Sequence, residues 1–245
     1  MKEEERLHRS RLLLGDEAMT RLASARGIVF GVGGVGSWCA EALVRTGVRH
    51  LTIVDSDVVC PSNINRQLMA TTQTVGQPKV EVLRKRLLEI APDADIVAQQ
   101  EVFCAETAEG FQIKNHDFIV DCIDSLSDKA LLILLATSCP QTAFFSSMGA
   151  ALKLDPTHVQ VAEFWKVKGC PLARALRQRF KREKQFPARK FTCVFSDELL
   201  HNKCEQDEER ANGSLVHITG LFGFTLAGLV VQKLIDENGE AKGKE

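Results

Sequence analysis

The stretch GVGGVGSWCAEALVRTGVRHLTIVDSD, residues 31–57, decides the fold. Gly31, Gly33 and Gly36 form a G-x-G-x-x-G turn between an apolar run, Ile28 to Phe30, and a helical pattern, Ser37 to Thr46. Glycines there let the backbone approach a phosphate, whose charge the N–H groups at a helix N-terminus stabilise. A second strand, Leu51 to Val54, leads into Asp55, 19 residues after Gly36, where a carboxylate can accept from ribose hydroxyls. Strand, turn, helix and acid together predict a nucleotide at this strand end. NAD, FAD and ATP all present a ribose and a phosphate, so these residues alone leave the choice open.

Outward from this turn, apolar runs keep alternating with helical patterns. Further strands are predicted at Ile96 to Gln99, Phe118 to Val120 and Ala143 to Ser146, and helices at Pro78 to Ile90 and Asp128 to Ser138. Pro78 is placed at the first helical position, with Val80, Leu83, Leu87 and Ile90 on one face. The fold class is therefore α/β: a doubly wound, mainly parallel, Rossmann-like sheet with its site outside the carboxyl ends of the strands. After Ala150 the pattern changes, and LDPTHVQVAEF reads as a turn and an alternating strand, a C-terminal antiparallel extension of the sheet.

The 245 residues are 44% apolar and 26% charged, the profile of a soluble globular protein. No basic, apolar and small-residue leader opens the sequence, which argues against secretion and for a cytoplasmic protein. The eight cysteines are irregularly spaced with no CxxC pair, so reduced thiols are expected and zinc is not. Among them Cys193 sits in an apolar, strand-like setting, and Cys170, before Pro171, is the better reactive candidate. The run LVHITGLFGFTLAGLVVQKLI is long enough to span a bilayer, but its His, Thr and Gly residues favour a buried helix over stable membrane insertion. Peripheral membrane association of that run is left open. The stretch NKCEQDEERANGS is expected to be a mobile loop.

Charge is segregated. Net charge is −1, yet from Trp165 to Lys190 ten Lys or Arg residues accompany one acid, Glu183. Within that segment Arg174, Arg177, Arg179, Lys181, Arg182 and Lys184 fall on one predicted helix, and such a face can track a nucleic-acid backbone. A solvated helix face is the commoner fate of such a run. Phe180 and Phe186 offer either base stacking or core packing.

The residues after the glycine turn discriminate between nucleotides. DSDVVCPSNINRQL and VGQPKVE supply Asp57, Asn63, Asn65, Arg66, Gln67 and Lys79. Hydride transfer leaves the pyrophosphate intact and needs no cation aimed at it, whereas nucleotidyl transfer moves negative charge onto a departing pyrophosphate. Lys79 begins a helix whose dipole favours the same anion. DCIDS places Asp121 and Asp124 at a strand end, where a carboxylate can hold Mg²⁺. Singly, each residue has an ordinary explanation: Arg66 as a surface charge, Lys79 as a first-turn residue, Asp124 as a helix cap.

Jointly, the ordered pattern GxGGxG, DxD, SNxNRQ, VGxPK and DCxDS resembles the ubiquitin-activating-like adenylating enzymes. That resemblance implies that Gly31, Gly33, Gly34 and Gly36 carry ATP with Asp55 on its ribose and Arg66 and Lys79 on its phosphates. Asp57, Asn63 and Gln67 join the ATP site, and Asp124 holds Mg²⁺. RLHRSRLLLG resembles the family's arginine segment, which implies a homodimer with Arg9 acting in trans on the partner's ATP. The catalytic set implied is Arg9, Arg66, Lys79 and Asp124.

The second half resembles one branch, the bacterial threonylcarbamoyladenosine dehydratases of tRNA, in LDPTHVQV, CPLARALRQRFK, CVFSDE and LFGFTLAGLVVQKL. Two departures are visible: SSMGAALKLDP replaces a more glycine-rich turn, and the region after CVFSDE is short. This branch implies adenylation of a threonyl carboxylate followed by intramolecular ring closure, which needs no enzyme nucleophile. Its substrate is tRNA; a sulfur-relay partner and a monovalent cation ordering the pocket stay open. The organisation expected is one domain over 1–235, with 1–26 as N-terminal helices and dimer arm, 27–150 as the nucleotide half, 151–235 as the substrate and tRNA half, and 236–245 as a tail. The rivals are an activator of a small sulfur-carrier or ubiquitin-like protein, an NAD-dependent dehydrogenase, and a non-catalytic RNA-binding module.

Overall fold

The computed structural model describes residues 3–204 and 212–236. The loop expected around NKCEQDEERANGS therefore lies largely outside the described residues, as does the tail after Asp236. Chain order runs α1 (Glu3–Arg6), α2 (His8–Ser24), β1 (Arg26–Phe30), α3 (Gly36–Thr46), β2 (His50–Val54), α4 (Lys79–Ile90) and β3 (Asp95–Gln99). It continues with β4 (Phe118–Asp121), α5 (Leu126–Thr137), β5 (Ala143–Ser147), β6 (Val159–Glu163), α6 (Pro171–Glu183), β7 (Thr192–Ser196) and α7 (Val216–Ile235).

The seven strands form one sheet in the order β3-β2-β1-β4-β5-β7-β6. All pairings are parallel except β6 with β7, where Val161 faces Val194. Strands covered on both faces read as continuous apolar runs, and β4 (FIVD) is buried at every position. The edge strand β6 buries none of its residues fully and leaves Gln160 and Val161 exposed. The strand that contains Cys193, read only as strand-like from the sequence, joins the parallel set beside β5 and supplies the partner for the antiparallel extension.

Helices cover both faces. One apolar cluster joins α2, α3, α4 and α7 to the sheet through Leu22, Leu43, Leu83, Phe222 and Leu226. The other joins α5 and α6 through Ile133, Ala173, Leu176 and Phe180. Phe180 is thus a core residue, not a stacking surface. The long apolar helix α7 buries Ile218, Phe222, Leu226 and Val230 at helical spacing. At Gly223 it packs so closely that a Cβ would lie 2.6 Å from the Val35 carbonyl oxygen. Its length and apolarity meet the threshold for a membrane span, and its buried face is occupied by α3.

One element boundary differs from expectation, and one helix is kinked. Pro78 precedes α4, which opens at Lys79. The N-terminal helix α2 is kinked at Gly15, whose left-handed φ of 79 interrupts it between Leu14 and Asp16.

Candidate active site

The switch point of the sheet lies at β1, which pairs with β2 on one side and β4 on the other. Outside the carboxyl ends of these strands opens a cleft of about 700 Å³. Gly31, Gly33, Gly34, Asp55, Asp57, Arg66, Gln67, Lys79 and Asp124 all line it. Nine of the predicted site residues, scattered over 94 positions of sequence, thus converge on one concavity.

Local geometry explains how the turn is held. The Gly31 N–H donates to the Val54 carbonyl (2.8 Å), and the Ser37 hydroxyl donates back to the Gly33 carbonyl (2.6 Å). Gly31 has φ of 81, and a Cβ on Gly36 would sit 1.9 Å from the Gly31 oxygen, so neither position tolerates a side chain. Gly36 shapes the turn from behind and does not line the cleft.

The Asp55 carboxylate accepts from the Val32 N–H (2.8 Å) and the Asp57 N–H (3.0 Å), bracing the turn while facing the cleft. Burial pushes its pKa above the ordinary carboxylate range, opposed by Lys79 and by the two backbone donors. Lys79 is buried; its Nζ donates to Asp57 at 2.7 Å and stands 4.0 Å from Asp55. A phosphate entering the cleft would compete with Asp57 for this ammonium group.

Arg66 is half-buried, and its Nη1 donates to the Ser62 carbonyl (2.9 Å) and the Asn65 side chain (3.0 Å), fixing the guanidinium at the rim. Gln67 is buried and its Oε1 has no hydrogen-bond partner among the described residues, an acceptor left for something in the cleft. Asn63 is placed differently from expectation. It does not line the cleft; its Oδ1 accepts from the Cys60 N–H (3.0 Å) and shapes the loop that carries Arg66.

The two acids of DCIDS separate completely. Asp121 is fully buried and pairs with fully buried Lys129 at 2.8 Å, so it is not open to a metal. It also accepts from the Ser146 hydroxyl (2.7 Å) and the Ile123 N–H (3.0 Å), while Lys129 donates to the Ile123 carbonyl (2.9 Å). Asp124 stands exposed at the cleft, one residue beyond this anchored Ile123, and makes no hydrogen bond among the described residues. Sequence reading missed Lys129, because a lysine one turn into a helix looks like surface. It also missed Glu101, Val102 and Phe103 after β3, although the strand-end rule points to them.

Arg9 is exposed on α2 and does not line its own chain's cleft. On the basic helix α6, Arg174, Lys181 and Arg182 are exposed, and Arg182 and Arg179 flank Glu183. Arg177 differs from expectation: its Nη1 donates to the carbonyls of Phe164 (3.1 Å) and Val167 (3.0 Å), tying α6 to the preceding loop. Lys184 lies just past the helix, in the left-handed conformation that ends it. Cys193 is fully buried, its thiol pushed well above the ordinary range by desolvation, and Cys170 is buried as well.

The model of the ThiF family matches residues 7–244. The chain belongs to the ThiF family. It is 39% identical over 177 residues to a tRNA threonylcarbamoyladenosine dehydratase of Bacillus subtilis, covering 71% of this chain and 68% of that one. It is 31% identical over 246 residues to the dehydratase of that name from Escherichia coli, covering 91% of each. The crystal structure of the E. coli enzyme, TcdA, in complex with ATP superposes with a TM-score of 0.86, covering 95% of this chain and 94% of that one. Within the ThiF family, this chain therefore groups with the tRNA threonylcarbamoyladenosine dehydratases.

Protonation of Asp55 would have two effects of opposite sign. Its folded pKa is raised, so between the unfolded and folded values the native state binds the extra proton, and this group's own contribution to stability increases as pH falls. A ribose placed against Asp55 would feel the opposite effect, because the protonated acid is a poorer acceptor for its hydroxyls. Calorimetric titration should show ATP affinity falling at a pH above the ordinary carboxylate range. Asp55→Asn should remove that limb; an affinity unchanged down to pH 4 would contradict the assignment.

Proposed function

We propose that this chain is an ATP-dependent tRNA threonylcarbamoyladenosine dehydratase. It adenylates the threonyl carboxylate of threonylcarbamoyladenosine in tRNA, releasing pyrophosphate, and the carbamoyl group of the same molecule then closes the ring and expels AMP. The observation that carries this is a single cleft with two chemically different halves. One part holds the glycine turn, Asp55, Lys79 and Arg66, fitted to a nucleotide; the other, from Ser147 to Leu152 with Leu172 and Leu199, is mostly apolar and fitted to a modified base. Tethered attack within the substrate explains why no nucleophilic side chain is needed.

In this assignment Asp55 receives the ribose, and Gln67 Oε1 supplies a free acceptor to the nucleotide. Lys79 and Arg66 meet the phosphates where charge grows as pyrophosphate departs. Asp124 would hold Mg²⁺, since that ion typically takes one or two carboxylates together with phosphate oxygens. The ion would neutralise phosphate charge. Arg9 acts across a homodimer, which the exposed Leu12 and Leu13 beside it support as a docking surface (74% and 84% exposed). The enzyme is assigned to the cytoplasm, with its single-domain organisation over residues 1–235.

The exposed cations Arg174, Lys181, Arg182 and Lys184 are assigned to the tRNA backbone, without Arg177. Replacing Arg174, Lys181 and Lys184 together by Ala should weaken tRNA binding and lower the salt slope by about one for each phosphate left without its cation. Arg177→Ala should instead lower stability, since it removes two bonds to the loop before α6. A triple variant that binds tRNA with unchanged salt dependence would return this face to plain solvation.

ATP–pyrophosphate exchange tests the reaction class. Exchange that requires tRNA from a strain lacking the enzyme supports the proposal. Exchange that requires a small Gly-Gly protein instead identifies a carrier activator.

A further inference from the structure

Lys153 lies in the loop between β5 and β6 and lines the cleft. It is 3% exposed, and its Nζ has no hydrogen-bond partner among the described residues. A lysine this buried is ordinarily paired, because an isolated ammonium group in a protein interior is costly. The chain on either side is firmly held. Leu152 adopts a left-handed φ of 59; its N–H donates to the Gly213 carbonyl (2.9 Å) and its carbonyl accepts from the Leu200 N–H (3.0 Å). The N–H groups of Leu154 and Asp155 both donate to the Glu198 carboxylate, at 2.7 and 3.1 Å. A non-glycine residue kept in this conformation beside an unpaired buried amine is the kind of strain that functional sites retain.

We propose that Lys153 is the general base of ring closure, its neutral amine taking the proton that the substrate loses in that step. This rests on the reaction assigned above. Ring closure forms one bond from the carbamoyl group to the activated threonyl carbonyl carbon and breaks the bond from that carbon to the AMP oxygen. AMP departs with the electron pair. Whether carbamoyl oxygen or nitrogen makes the new bond, one N–H proton of the substrate must go, and on Lys153 it converts the amine to ammonium. Among the described lining residues from 147 to 219, Lys153 is the one with a titratable side chain. The lining carboxylates, Asp55, Asp57, Glu101, Asp124 and Asp128, all come from the segments that follow β2, β3 and β4.

The surroundings suit a base. Desolvation lowers the Lys153 pKa from the ordinary lysine value, which raises the fraction of neutral amine at physiological pH; Cys170, Glu198 and Asp197 act in the opposite direction. Asp197 is itself engaged by His158 at 2.7 Å, which tempers its hold on the amine.

The test is a single-turnover reaction of enzyme, ATP and tRNA carrying the threonylcarbamoyl group, with pyrophosphate and cyclic nucleoside followed separately. Lys153→Met keeps an unbranched stem, and Lys153→Arg keeps a cation that cannot serve as a base. In both, the pyrophosphate burst and ATP affinity should stay within about threefold of the parent, reporting an intact fold. Ring closure should slow about 10²-fold or more, the usual contribution of a general base. In the parent, ring closure should rise with pH and level off below the ordinary lysine range, and both variants should lose that dependence. Ring closure at the parental rate in either variant would overturn the proposal, and so would loss of the burst together with closure. A parent enzyme with no tRNA-dependent burst would refute the assigned reaction itself, and this proposal with it.

Discussion

Lys129→Met should destabilise the protein by about 3–5 kcal/mol, because it leaves the fully buried Asp121 carboxylate without its counter-charge. The two side chains lie 2.8 Å apart with no solvent access, and no water can replace the missing ammonium group without opening the core. Denaturant unfolding measures the loss directly. The effect should extend to the site. Asp121 and Lys129 clasp the N–H and C=O of Ile123, so the single variant should also loosen the loop that presents Asp124 and weaken nucleotide binding. Adding Asp121→Asn should restore much of the stability, since a neutral amide can still accept from Ser146 and Ile123. A loss below about 1 kcal/mol for the single variant would show that the pair is far less isolated from water than its geometry indicates.

Lys79→Ala should lower tRNA-dependent pyrophosphate exchange by about 10²–10³-fold in kcat/KM, the range for removing one preorganised group from a developing oxyanion. The side chain is buried where three negative partners meet: Asp57, Asp55 and the phosphates assigned to the cleft. Its removal leaves Asp55 and Asp57 facing an incoming polyanion with no cation between them, so binding and turnover should fall together. Lys79→Arg should not restore activity, because a planar fork does not fit a buried site shaped for a compact ammonium group. Exchange within tenfold of the parent for Lys79→Ala would move the phosphate site elsewhere.

Much of the fold was legible because a parallel sheet is written in unbroken apolar runs. Ile28 to Phe30, Phe118 to Val120 and Ala143 to Ser146 were each found within a residue or two of their true ends. The helix α7 was legible for a related reason: an apolar run broken by His217, Thr219 and glycines must pack against protein, and Gly223 marks where it meets α3. The convergence on one cleft was carried by spacing, since Asp55 and Asp124 follow β2 and β4, Lys79 opens α4, and Arg66 lies in the loop between β2 and α4.

What the sequence hid were partnerships between distant side chains. Nothing local separates Asp121 from Asp124, yet one is locked to Lys129 and Ser146 in the core and the other reaches the cleft. Arg177 reads like its neighbours on a basic helix until its guanidinium is seen bonded to two carbonyls. Lys153 sits in an unremarkable loop sequence, and only its burial without a partner among the described residues singles it out. Charge and periodicity determine where a residue can lie; which groups it meets depends on elements that come together from far along the chain.

The most direct measurement of the central claim is mass analysis of tRNA nucleosides before and after incubation with this protein and ATP, using tRNA from a strain that lacks the enzyme. Threonylcarbamoyladenosine should be replaced by a product lighter by one water, with AMP and pyrophosphate formed in equal amounts. An unchanged nucleoside, with AMP appearing only when a Gly-Gly carrier protein is supplied, would contradict the account.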